Sequence, residues 1–226
     1  MPEVFSPDLH PARPLFLDLE RSHALVAAFF KGNATARLFV NDVAQPQTGV
    51  LICNSRVLIA GDATRTDFLK EMVANFAGEL IPSHRAKGND AYLVYASGDG
   101  WNTAIQELFH GSQFCYGNRQ YYEITDFSSK PDLRLPDGFS MHLITPEFLS
   151  SNVAGMDDVR EEMCSERVSV EDFLARSFGL CPVHSNEVAG WCMSEYNVGS
   201  RCEIGIATAA QHRIGIQAIR QRRTLE

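Results

Sequence analysis

The sequence predicts a mixed α/β (α+β) protein of two lobes, and three observations carry that prediction. Short apolar runs of period two alternate along the chain with runs of helical period. The length, 226 residues at 45% apolar content, is enough for more than one core. A stretch rich in turn formers and without apolar period, SSKPDLRLPDG, interrupts the pattern at 128–138. An N-terminal mixed α/β lobe is therefore expected over 1–127, a linker over 128–138, and a second lobe over 139–226 with an antiparallel strand meander.

In the first lobe HALVAAFFKGN predicts a short helix stopped by Gly32-Asn33. ARLFVND alternates toward a strand, AQPQTG is a turn, and VLICN with RVLIAGD forms a hairpin around Asn54-Ser55. Phe68, Leu69, Met72, Val73 and Phe76 mark one face of a helix capped by Thr64 or Thr66 and running to Gly78. DAYLVYAS predicts a strand, WNTAIQELFHG a helix ended by Gly111, and RQYYEITDF a further strand.

In the second lobe FSMHLIT predicts a strand and TPEFLSSN a helical turn opened by Thr145-Pro146. VSVEDFLARSFG predicts a helix capped by Ser169 and ending at Gly179. Three strands then follow as a meander: GLCPVHS, EVAGWCMSEYN and RCEIGIAT, with turns at Ser185-Asn186 and at Val198-Gly199-Ser200. A helix is expected to begin after Gln211.

Composition excludes several classes. The net charge of −8 repels phosphate backbones, so no nucleic-acid partner is expected. No apolar run reaches about 18 residues, so no membrane span is expected. The opening MPEVFSPDLHPARP carries prolines and acidic residues where a signal peptide needs basic and then apolar stretches, and the chain reads as cytoplasmic. The six cysteines form no CxxC pair and do not cluster with the seven histidines; they read as small buried apolar side chains, with no metal site. Cys181 and His184 stand three apart on one strand and so face opposite sides, which excludes a nucleophile pair.

The segment Phe178 to Arg213, FGLCPVHSNEVAGWCMSEYNVGSRCEIGIATAAQHR, resembles the GNAT acetyltransferases, a two-lobed family of acyl-CoA-dependent N-acyltransferases. The first-lobe hairpins, Ala36 to Asp62, are similar to that family as well. The resemblance implies acetyl transfer from acetyl-CoA to a small-molecule or peptide amine. It implies that the strand ending in Ile206, Ala207 and Thr208 holds the pantetheine arm through its backbone. Arg213 and Gly215 would fall in the loop that meets the pyrophosphate. That loop departs from the family's Arg/Gln-x-x-Gly-x-Gly/Ala: counted from Arg213, the glycine position holds Ile216 and the last Ala218, whereas a count through Gly215 puts His212 and Gln217 at the outer positions. Compared with the family, the second lobe is expected to be truncated, and its activity impaired; a remnant that binds a ligand or partner is the alternative.

For proton transfer the candidates are Glu203 and Glu195. Glu203 sits inside an otherwise apolar strand and needs a reason to be there. Glu195, near a strand end, reads most simply as solvated, and otherwise as a second carboxylate facing the same cleft. His212 reads as solvated. Trp191 and Tyr196 read as core, with the acceptor pocket as the alternative. A strand Arg201 to Thr208 left at a sheet edge, carrying little charge and no proline, also makes a homodimer an expected state.

Overall fold

In the computed structural model the chain divides into two compact units, Met1–Tyr122 and Glu123–Glu226. The structure describes residues 1–5, 10–86, 91–98, 100–109, 113, 115, 117 and 134–213. The strand expected over 119–127, most of the expected linker, the helix stop at Gly111 and the stretch holding Gly215, Ile216 and Ala218 lie outside the described residues.

The first unit is built on a five-stranded sheet in the order β1-β2-β3-β4-β5. Its strands are β1 (Glu3–Val4), β2 (Arg37–Val40), β3 (Thr48–Cys53), β4 (Arg56–Gly61) and β5 (Leu93–Ala96). All neighbours are antiparallel except β4 and β5, which run parallel and are joined through helices. The β3–β4 register pairs Cys53 with Arg56 and so leaves the two-residue turn Asn54-Ser55, where Asn54 takes a φ of 50°. A 3-10 stretch (His10–Phe16) leads into α1 (Leu17–Ser22) and α2 (Ala24–Phe30). Every residue of α2 is buried, which suits its uniformly apolar sequence. Its end is a Schellman closure: Asn33 N–H donates to the Ala28 carbonyl and Gly32 N–H to that of Phe29, with Gly32 at φ 71°.

The helix α3 (Thr66–Asn75) packs Phe68, Leu69 and Met72 on Phe39, Val50, Ile52, Val57 and Ile59 of the sheet. Two expectations about it are corrected. Neither threonine caps it; Arg65 holds the cap position, and Asp62 instead accepts from the backbone N–H and hydroxyl of Thr64. Nor does the helix stop at Gly78: a π turn over Phe76–Leu80 carries it into α4 (Ile81–Ala86), because Phe76 and Leu80 still have core to reach. In α5 (Gly100–Leu108) Trp101 is fully buried and its indole N–H donates to the Gly61 carbonyl at 3.2 Å.

The second unit carries a sheet in the order β10-β9-β7-β6, with the short β8 paired to β7. Its strands are β6 (Phe139–Leu143), β7 (Gly179–His184), β8 (Glu187–Val188), β9 (Gly190–Val198) and β10 (Arg201–Thr208). Between β6 and β7 come α6 (Pro146–Leu149), α7 (Met156–Glu166) and α8 (Val170–Arg176). Thr145 and Ser169 cap α6 and α8, their hydroxyls accepting from the N–H groups of Phe148 and Asp172 at 3.2 Å each. The sequence reading gave no helix over 156–166; its acidic run hides Met156, Val159 and Met163, which share one face and enter the core. The helix expected to end at Gly179 ends at Arg176, since Phe178 and Gly179 already pair with β9. The expected strand EVAGWCMSEYN is two strands, broken at Ala189 so that β8 pairs with one end of β7 and β9 with the other.

The core of this unit lies between the helices and one sheet face, with Phe148, Leu149, Met156, Val159, Met163 and Phe173 against Cys181, Val183, Val188 and Met193. Each such side chain, fully buried, contributes about 1.5–3 kcal/mol. None of the described helices is long and apolar enough to cross a membrane.

Candidate active site

The β9–β10 register fixes the site. Glu203 pairs with Glu195, Ile204 with Ser194, Gly205 with Met193, Ile206 with Cys192 and Ala207 with Trp191. Because Met193 is a core residue under the helices, strand alternation puts Glu195, Glu203, Gly205, Trp191 and Ala207 on that same helix-covered face. The two candidate carboxylates are thus direct cross-strand neighbours.

Their environments differ. Glu203 is half-buried, while Glu195 is 7% exposed. The expectation of a solvated Glu195 is therefore overturned, and the reason lies across the strand. A Cβ at Gly205 would overlap Glu195 Oε1, stand 3.0 Å from its carboxyl carbon and lie 3.4 Å from Trp191 Cζ3. The Glu195 carboxylate occupies the space that the missing side chain of Gly205 leaves, beside the Trp191 ring. The signal in the sequence was an isolated glycine inside a strand, which marks a close approach.

A bulge adjoins the pair. Between the pairs Glu203↔Glu195 and Arg201↔Val198, β9 has one residue more than β10, and Tyr196 adopts a left-handed φ of 51° while buried. On the other side of β9, the Ser194 hydroxyl accepts from the Phe178 N–H at 2.9 Å and from the Asn197 amide at 2.9 Å, which ties the bulge to the start of β7.

The edge of β10 is the second component. Ala209 N–H donates to the Ala189 carbonyl, so alternation turns the backbone of Glu203, Gly205 and Ala207 toward β9 and that of Ile204, Ile206 and Thr208 outward. Among the described residues no strand lies beyond β10. Of the three residues expected to hold a pantetheine arm through their backbone, Ile206 and Thr208 present outward groups and Ala207 does not. Gly190 permits the close β9–β10 approach there, since a Cβ on it would overlap the Ala207 carbonyl oxygen.

At the end of β10 the chain makes a 3-10 turn over Ala210–His212, and Arg213 folds back to donate from Nε to the Thr208 carbonyl at 2.9 Å. His212, expected to be solvated, is half-buried and packs edge-on against Phe139 and His184, with ring centroids 5.4 Å away in each case. Tyr196 is core and Trp191 packs partly against the core. Cys181 and His184 diverge on β7: the thiol is fully buried and burial pushes it up to about 11, while the His184 ring lies tilted against Phe139, centroids 4.6 Å apart. Burial also raises Cys192 and Cys202, the latter with added repulsion from Cys192 and Glu203.

The family model described as GNAT acetyltransferase matches residues 13–215, most of the chain, and the chain belongs to that family. It is 25% identical over 155 residues to an uncharacterized N-acetyltransferase, YdfB, of Bacillus subtilis (strain 168), a match covering 69% of this chain and 56% of that protein. The chain thus matches little more than half the length of that relative. Its fold is similar to the crystal structure of a GCN5-related N-acetyltransferase-like protein from Streptococcus suis 89/1591, with a TM-score of 0.59 at 18% identity, over 93% of this chain and 79% of that one.

Proposed function

We propose that this protein transfers an acetyl group from acetyl-CoA to an amine, with Glu203 as the general base. The observation that carries the reading is the register of β9 and β10, which supports a carboxylate pair directly beside an outward backbone edge. Acetyl-CoA supplies the activated acyl group as a thioester. The N–H and C=O groups of Ile206 and Thr208 receive the pantetheine arm as a neighbouring strand would be received. Arg213 stands at the end of that track and contributes charge toward the pyrophosphate when it releases the Thr208 carbonyl.

Glu203 takes the proton that the attacking amine must lose, and its half-buried position leaves it reachable. Glu195 is held too deep, over Gly205, to meet a bulky acceptor; its charge instead favours a cationic amine nearby. The acceptor is a small-molecule or peptide amine.

The test is acetyl-CoA titration by calorimetry together with amide exchange along 204–208. Binding with slowed exchange at Ile206 and Thr208 is the expected result. Over a panel of amines, Glu203→Gln should then lower amine-dependent CoA release by about 10²–10⁴-fold with acetyl-CoA affinity unchanged. No binding at millimolar acetyl-CoA, or an unaltered rate in Glu203→Gln, refutes the reading.

A further inference from the structure

The bulge in β9 carries three unfavourable features at once. Tyr196 is buried in a left-handed conformation, Glu195 is a buried carboxylate, and Glu203 stands directly opposite it. Moving the bulge one position along β9 would set Tyr196 opposite Glu203 and turn Glu195 to the other face of the sheet. That slip would relieve the carboxylate pair, so the observed register needs contacts that oppose it.

A run of polar side chains supplies such contacts. Asn197, inside the bulge, donates from Nδ2 to the Ser194 and Ser177 hydroxyls at 2.9 Å each. The first bond reaches back three residues, across Tyr196. The second leaves the strand for the end of α8, where Ser177 N–H closes the helix on the Phe173 carbonyl. Ser177 Oγ also accepts from Arg167 Nε at 3.1 Å. Arg167 directly follows α7 and is buried, although a guanidinium is costly to bury. The carbonyl end of α7 favours its charge, and its planar fork of donors gives the bond a fixed direction. At the far end of the run Ser194 is bonded twice to Phe178: its hydroxyl accepts from that N–H, and its own N–H donates to that carbonyl.

We propose that Asn197, backed by Arg167 through Ser177, is a positioning residue that locks the bulge in the register opposing Glu195 to Glu203. Its meaning for catalysis rests on the reading of Glu203 as general base; the lock itself is measurable without catalysis.

The test is carboxyl labelling of the full chain with carbodiimide and glycine ethyl ester, read residue by residue by mass spectrometry. Glu195 should label slowly in the unsubstituted protein. Asn197→Ala removes two hydrogen bonds, each worth a factor of roughly 5, and Glu195 should then label about 10-fold faster or more. Arg167→Met should raise the rate by about 5-fold, and Arg167→Lys, which keeps a donor and a charge, should restore most of the protection. Hydrogen exchange over 156–163 should stay unchanged, since a general loosening of the lobe would speed it as well. Far-UV circular dichroism checks folding; if Asn197→Ala does not fold, Ser177→Ala, which removes a single hydroxyl, decides in its place. Unaltered Glu195 labelling in the folded variant, equal labelling in Arg167→Met and Arg167→Lys, or a rise matched by faster exchange over 156–163 overturns the proposal. Turnover is read separately. With acetyl-CoA and an amine, Asn197→Ala should lower kcat by about 10–100-fold and leave KM for acetyl-CoA unchanged, and an unaltered kcat in an active enzyme also overturns the proposal. An unsubstituted chain without turnover counts against Glu203 as base, while the labelling still decides the lock.

Discussion

Gly205→Ala should destabilise the second lobe through one atom pair, and the size of the effect follows from the geometry. The new Cβ overlaps Glu195 Oε1 and stands 3.0 Å from the carboxyl carbon, so the carboxylate has to retreat by on the order of 1 Å to reach ordinary contact. At 7% exposure there is little open space to enter. Pushing the side chain off its rotamer costs about 0.5–1.5 kcal/mol. Displacing a buried carboxylate from the interaction it makes adds about 1–3 kcal/mol. Gly205 is not among the glycines with a left-handed backbone, so alanine is otherwise allowed and returns about 0.4–1 kcal/mol through the unfolded chain. The net expectation is a loss of about 1–3 kcal/mol, read by urea unfolding with linear extrapolation. A double-mutant cycle isolates the cause. In a Glu195→Ala background the obstruction is gone, and Gly205→Ala should be neutral or slightly stabilising. Equal losses in both backgrounds, with a coupling below about 0.5 kcal/mol, would refute the contact as the reason for the glycine.

Two more expectations rest on single contacts. The Cys181 thiol, pushed up to about 11 by burial, should resist alkylation at pH 8 in the folded protein while the exposed Cys164 reacts; equal rates would contradict the burial. Because its folded value is raised above the ordinary thiol value of about 8.5, the stability it contributes is full below that value and lost as pH rises toward about 11, which alkaline unfolding of Cys181→Ala against the parent measures. Ser169→Ala removes the hydroxyl that accepts from Asp172 N–H and should cost about 1 kcal/mol, whereas Ser169→Asp should retain most of the cap; a loss in both variants would locate the effect elsewhere.

What was legible in the sequence was local. Asn54-Ser55 between two apolar runs is a hairpin whatever surrounds it, and Ser169 ahead of an apolar helical face is a cap wherever the helix lands. Glu203 stood out because a charge in an apolar strand demands an account. What was hidden depends on partners distant in the chain. The burial of Glu195 requires Gly205 ten residues on and a register that no single strand reveals. The helix α7 is masked by Asp157, Asp158, Glu161 and Glu162, and only the cavity it fills makes Met156, Val159 and Met163 its decisive residues. The break at Ala189 is equally non-local: nothing in EVAGWCMSEYN stops a strand, but β7 is long enough to pair with one part of it at each end.

The bulge at Tyr196 and the gap at Gly205 answer one electrostatic difficulty. Directly opposed residues on antiparallel strands hold their Cβ atoms about 5 Å apart, and like charges in that position repel. Glu195 and Glu203 are in that relation by register. One remedy is to point a carboxylate into solvent, which the burial of Glu195 excludes. The other is to lean it diagonally, and a diagonal path exists only because position 205 has no side chain. A bulge bends and twists its strand locally, and this one begins at the residue after Glu195. It holds a buried tyrosine in a left-handed conformation that costs about 1–2 kcal/mol outside glycine. Strain of that size persists where the surroundings over-determine it, and here the Ser194 hydroxyl bound to Phe178 and Asn197 fixes the strand on either side. The strain at Tyr196 and the empty space at Gly205 thus serve the same pair of carboxylates, which is why the pair, rather than either residue alone, is the feature of this sheet that calls for a chemical purpose.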